Sequence, residues 1–143
     1  MTVTSILSAK GKDVVSIEPT APLAAAVQLL ASRRIGALIV RGAGHRLVGI
    51  ISERDIVRAL AEQGNAALDV PVGQIMTREV ATCAENDEIG SIMERMTAGK
   101  FRHMPVMTKD DLVGVISIGD VVKDRLQAME NETEAMRDYI RSA

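Results

Sequence analysis

The residues LVGIISERDIV at 47–57 return as LVGVISIGDVV at 112–122, with Gly, Ser and Asp in matching places. A chain of 143 residues that repeats itself this way is built from two copies of one small unit. The repeat runs well beyond the motif. Leu23, Ala26, Val27 and Leu30 have the spacing of a helix that buries one face, and Ile89, Ile92, Met93 and Met96 repeat it 66 residues later. Short apolar runs follow, IGALIV and FRHMPV, then a turn, RGAGHR or MTKDD, then the LVG strand. The first turn is one residue longer, so the offset falls to 65; a slip confined to a loop is what a diverging duplicate tolerates.

Each unit therefore reads strand (VVSI, then VATC), helix, strand, turn, strand, helix, with ERDIVRALAEQ and GDVVKDRLQAM as the closing helices. A unit of about 50 residues buries too little surface to stand alone. The duplication thus predicts two units packed sheet against sheet over one shared core. Residues 1–63 form the first unit with its N-terminal segment, 64–73 a Gly-, Asn- and Pro-bearing linker, 74–128 the second unit, and 129–143 a helical tail. Towards that tail, Val122, Leu126, Met129, Thr133, Met136 and Ile140 alternate steps of four and three. Such a stripe suits a helix folded back over its own domain, or contact with a second copy or a partner.

Composition narrows the function. Aromatic residues are only Phe101 and Tyr139, so the core must be Ala, Val, Ile, Leu and Met. A net charge of −2 and so few stacking groups argue against nucleic acid as partner. No apolar run approaches the ~20 residues of a membrane helix, and no basic start precedes an apolar stretch. The single Cys83 excludes an internal disulfide and fits a reducing compartment. The expected setting is the cytoplasm, away from membranes.

Catalytic signatures are absent from the sequence. His103 has no second ligand at metal spacing. Gly42 and Gly44 lack the third glycine of a dinucleotide fingerprint, and Gly11–Lys12 is followed by Asp where a P-loop needs Ser or Thr. Cys83 has no His/Asn arrangement around it and reads as a small core residue. Only Ser and Asp recur as polar residues of both copies. They sit where a strand gives way to a helix, and two roles suit them there. Ser52 and Ser117 can cap the helices while Asp55 and Asp120 favour their positive ends. Alternatively, the helix N-terminus can take an anion and the carboxylate can accept the hydroxyls of a ribose.

Two ordered copies of strand–helix–strand–strand–helix, each closed by G-x-x-S-x-x-D, resemble a pair of CBS domains (a Bateman module). IMTREVATCAENDEIGSIMERM, FRHMPV and LVGVISIGDVV match the family pattern in order, and the likeness covers about residues 5–126. It is closest in kind to the stand-alone bacterial proteins. The resemblance implies an α/β (α+β) fold of two small three-stranded sheets with flanking helices, related by a pseudo-twofold axis.

It further implies a regulatory module, not an enzyme, that senses an adenosine nucleotide in clefts drawn from both repeats. In such modules the Asp takes the ribose hydroxyls, the Ser lies by the ribose or phosphate, and adenine slides between apolar strand residues. One site would comprise Ser117 and Asp120 with Val15, Ile35 and Gly36; the other, Ser52 and Asp55 with Ala81, Phe101 and Arg102. Arg54, Arg102, His103 and Lys10 are the candidates for phosphate contacts. Gly36 stands where Arg102 stands in the second copy, so the clefts should differ in charge and affinity. AMP and NAD lead the ligand class, with ADP, ATP and S-adenosylmethionine behind; no catalytic cofactor and no metal is implied. A disc-like homodimer acting on a regulated protein is the expected assembly. The alternative is a structural dimerisation module with vestigial pockets.

Overall fold

The architecture is that of a computed structural model, which describes residues 1–142. In chain order the elements are α1 (Val3–Lys10), β1 (Ser16–Ile17), α2 (Leu23–Arg33), β2 (Ala37–Arg41), β3 (Leu47–Ser52), α3 (Glu53–Gln63), a short α4 (Val72–Ile75), α5 (Ile89–Gly99), β4 (His103–Thr108), β5 (Asp111–Ser117) and α6 (Ile118–Ser142). The two spaced apolar sets lie on α2 and α5. Leu23, Ala26 and Leu30, and Ile89, Ile92 and Met96, are their buried residues.

The duplication is exact at the level of strand register. Ala37 faces Ser52 and Val40 faces Gly49 across β2 and β3; His103 faces Ser117 and Val106 faces Gly114 across β4 and β5. Both pairs slip at the same place, after Val40 and after Val106. Even the helix exits repeat: α2 and α5 end on Arg34 and Lys100, both in the left-handed region at φ 54° and 58°.

The sheets differ in one respect. The first is three-stranded, β1–β2–β3, with β1 parallel to β2, but the second has only β4 and β5. The expected third strand, VATC, is reduced to a single bridge between Cys83 and Val106. The cause is Pro105. In the first sheet the Ile39 N–H donates to the Val15 carbonyl at 3.2 Å; Pro105 is the matching residue and has no N–H to give Ala81. The ladder survives only where it can, at Cys83 N–H to Pro105 O (3.0 Å) and Met107 N–H to Cys83 O (2.8 Å).

The expected single core is replaced by two. One gathers Leu23, Leu30, Leu38, Val40 and Ile51; the other gathers Ile89, Ile92, Met104, Val106 and Ile116. Each is completed by a segment from outside its own sheet and helices, the second by the N-terminal helix and the first by the chain that follows α3. Val3, Ile6 and Leu7 of α1 bury in the second core, while Ala67, Val72 and Met76 bury in the first. Residues 64–73, read from sequence as a linker, form a 3-10 turn (Gly64–Asp69) and the start of α4. A backbone exchange at Ile50 and Thr77 (3.0 and 2.8 Å) fastens the following segment to β3. The crossing of segments lets a repeat too small to be stable alone borrow apolar surface.

α6 is longer than the closing helix read from the repeat. It runs without a break to Ser142, and every residue from Met129 to Ser142 is exposed. The helix does not fold back over its own domain.

Candidate functional site

Both Ser-x-x-Asp motifs sit at a strand-to-helix corner, and both are reciprocal caps. Ser52 N–H donates to Asp55 Oδ2 at 3.0 Å while Asp55 N–H donates to Ser52 Oγ at 3.3 Å. Ser117 and Asp120 repeat this at 2.8 and 3.2 Å. The capping role inferred from sequence is therefore present in both copies, each satisfying donors a helix start leaves unpaired. Neither the cap nor the helix start precludes a ligand, because each motif also opens on a cleft between the repeats.

The first cleft holds about 280 Å³ and is lined by Val15, Ile35, Gly36, Ile39, Ile50, His103, Val115 and Ser117. Apolar groups from both repeats form its walls. Four of the five residues expected for this site line it, and Asp120 stands behind Ser117 through the 2.8 Å bond just described. Lys10, expected near a phosphate, reaches Asp120 instead: its Nζ lies 2.7 Å from Oδ2 and 2.9 Å from the Val115 carbonyl. Both bonds to the carboxylate fall on Oδ2, and among the described residues none falls on Oδ1. Burial alone would raise the Asp120 pKa, but the Lys10 ammonium and the Ser117 N–H outweigh it and hold the carboxyl below its ordinary range.

The second cleft is larger, about 630 Å³, and contains all five residues expected for it: Ser52, Asp55, Ala81, Phe101 and Arg102. Arg54, Arg58 and Lys100 add cations to its wall. Arg54 donates to the Lys100 carbonyl at 2.9 Å, which fixes the guanidinium at the rim. Asp55 is more deeply engaged than its counterpart. It is 8% exposed; Oδ2 accepts from Ser52 N–H and Oγ, and Oδ1 accepts the Thr77 hydroxyl at 3.2 Å. At the far end, the Ala81 carbonyl accepts no bond among the described residues, the consequence of Pro105.

His103 lines both clefts and is the cross-strand neighbour of Ser117. A Cβ placed on Gly36 would lie 3.1 Å from its imidazole, so the glycine leaves room for the ring. Burial pushes the His103 pKa below 6.5; Glu53 and Asp120 act against that, Lys10 and Arg102 with it. A neutral imidazole joining two clefts can donate or accept a hydrogen bond in either. Cys83 offers no such chemistry: burial and Asp87 push its thiol up to about 11, against the pull of Arg95. Among the described residues no three His, Cys, Asp or Glu side chains group as a metal site, and no helix is long and apolar enough to cross a membrane.

Sequence reading missed Thr77, Ile50 and Val115. The last two had a usable signal, since both lie two residues before the motif Ser in their copies. Thr77 had none, because its place beside Asp55 follows from the crossing of segments.

Comparison with known proteins agrees with this architecture. The CBS domain family matches residues 6–62 and again 72–126. A CBS-domain containing protein of Agrobacterium tumefaciens has a crystal structure 44% identical to this chain, with a TM-score of 0.85 over 87% of this chain and 92% of that one. A CBS domain protein of Pyrobaculum aerophilum, solved as a complex with AMP, is 29% identical, with a TM-score of 0.78 over 93% of this chain and 99% of the other. A mitochondrial CBS domain-containing protein of Arabidopsis thaliana is 34% identical over 119 residues, 80% of this chain; the chain spans 58% of its length.

Proposed function

The chain belongs to the CBS domain family, and on that premise we propose that it is a regulatory module that binds an adenosine nucleotide between its two repeats. The observation that carries this reading is the placement of each Ser-x-x-Asp pair at a cleft whose walls come from both repeats. In the first cleft the base lies among Val15, Ile35 and Ile39, and the ribose hydroxyls meet Asp120 beside Ser117. A ligand so held touches residues far apart in sequence, so it favours one relative packing of the repeats over others and shifts the population accordingly. A homodimer transmits that shift to a regulated protein. No group in either cleft is asked to do covalent chemistry.

The clefts are not equivalent. Behind Ser117 the smaller one has a carboxylate with one oxygen, unbonded among the described residues, for a ribose. The larger one offers more cations and an unpaired carbonyl but a carboxylate with both oxygens bonded. AMP suits the first, and AMP is the ligand named in the Pyrobaculum relative's complex; NAD, ADP or ATP, with more phosphate, suit the second. The full engagement of Asp55 favours a second reading for that cleft alone, a structural joint with a vestigial pocket.

A thermal-shift panel with AMP, NAD, ADP, ATP and S-adenosylmethionine tests the proposal. A ligand at a hundred times its dissociation constant adds about 2.7 kcal/mol, which raises the midpoint by roughly 9 °C for a chain of this size. A shift with at least one adenosine nucleotide is expected. No shift with any of them would leave the structural dimerisation module as the better account.

A further inference from the structure

The end of α6 leaves the body of the protein. Every residue from Met129 to Ser142 is exposed, yet Val122, Leu126, Met129, Met136 and Ile140 line one face at 44–66% exposure. A free helix of about four turns is marginal in water. The steps of four and three place Leu126, Thr133 and Ile140 at a positions and Val122, Met129 and Met136 at d, which is a coiled-coil seam. At its root the seam continues into a groove of about 500 Å³ lined in part by Ile118, Val122 and Leu126.

The flanks of the seam select the occupant. Arg125 and Glu132 occupy g positions; Glu130 and Arg137 occupy e positions. In a parallel pair each g residue faces the e residue five places on in the other helix. Arg125 then meets Glu130 and Glu132 meets Arg137, each twice by symmetry. The antiparallel pairing that overlaps the whole seam instead sets Glu130 against Glu130 and Glu132 against Glu132. The charge pattern complements itself in one orientation only.

We propose that α6 forms a parallel, in-register two-stranded coiled coil with α6 of a second copy of this chain. The pairing is independent of any ligand. It brings the second repeats of the two copies side by side about a twofold axis, so the dimer is joined through its C-terminal repeats.

The test uses the full chain carrying Met129→Cys or, separately, Met136→Cys, under mild oxidation, with the unsubstituted chain as control for the buried Cys83. Both positions are exposed, so folding is spared. Each variant should cross-link to itself as a covalent dimer, because like d positions face one another in a parallel pair. Adding Arg137→Glu should slow that cross-linking about tenfold through like-charge contact, and adding Glu132→Arg as well should restore it. Failure of both cysteine variants to cross-link to themselves would overturn the proposal. So would cross-linking found only when Met129→Cys is mixed with Thr133→Cys, the antiparallel result, or a charge-swapped pair that does not recover.

Discussion

Lys10 Nζ lies 2.7 Å from Asp120 Oδ2, a contact across 110 residues of sequence. Its counterpart in the other repeat is a neutral hydroxyl, Thr77, on Asp55. The parallel goes further. Ile50 and Val115 are matching residues, and the same two segments bond their carbonyls: Thr77 through its backbone N–H (2.8 Å), Lys10 through its side chain (2.9 Å). Two identical motifs thus receive different donors from the crossing chain. One carboxylate is held by a lysine and, among the described residues, keeps one oxygen unbonded; the other has both oxygens hydrogen-bonded and adds only a 3.9 Å contact with Arg58.

The ion pair should be modest and pH-dependent. Its side chains are 37% and 24% exposed, so Lys10→Met should cost about 0.5–1 kcal/mol near neutral pH. The folded Asp120 has a lowered pKa, so its contribution is present above the ordinary value of 3.8 and lost as pH falls through the folded one. Urea unfolding of both proteins should show their difference closing as the solution is acidified below that value.

Asp55 should matter more to stability than Asp120. Asp55→Ala unpairs the Ser52 N–H, the Ser52 hydroxyl and the Thr77 hydroxyl in a buried setting, a loss of about 1–3 kcal/mol. Thr77→Val should cost less by itself and almost nothing further once Asp55 is gone. Urea midpoints of the two single variants and the double variant check this; additive losses would mean that the two residues act separately.

His103 should make the protein acid-sensitive. Its folded pKa is depressed, so the unfolded state takes up the proton first and stability falls as pH drops below about 6.5. His103→Gln should flatten the pH profile between neutrality and mild acid. Thermal midpoints across that range, measured for both proteins, are the check.

The matching glycines of the two LVG strands should respond unequally to alanine. A Cβ on Gly49 would lie 2.8 Å from the Thr77 carbonyl and 2.5 Å from Met76 Sδ; on Gly114 it would meet the end of Leu7, 2.8 Å away. Backbone cannot yield as a leucine methyl can. Gly49→Ala should cost about 1–3 kcal/mol and Gly114→Ala clearly less, by chemical denaturation.

Much of this was legible in the sequence because the repeat is written in local patterns. The i, i+3, i+4 spacing found α2 and α5, and the doubled G-x-x-S-x-x-D found both corners. What the sequence concealed is tertiary. Nothing in VTSILSAK says that α1 completes the core of the second repeat, and without that crossing Lys10 cannot be placed on Asp120. VATC has strand composition, but whether it pairs depends on Pro105, a residue in a different element. The tail stripe was visible, yet only the unbroken α6 shows that its own domain does not cover it.

The central claim is that Asp120 holds the sugar of an adenosine nucleotide in the cleft between the repeats. Calorimetric titration of AMP into the unsubstituted chain, Asp120→Ala and Asp55→Ala tests it most directly. The account predicts binding by the unsubstituted chain, a loss of at least about tenfold with Asp120→Ala, as expected for removing charged hydrogen bonds of ~1.5–3 kcal/mol, and retained binding in folded Asp55→Ala. AMP affinity unaltered by Asp120→Ala, or no binding by the unsubstituted chain, would contradict it.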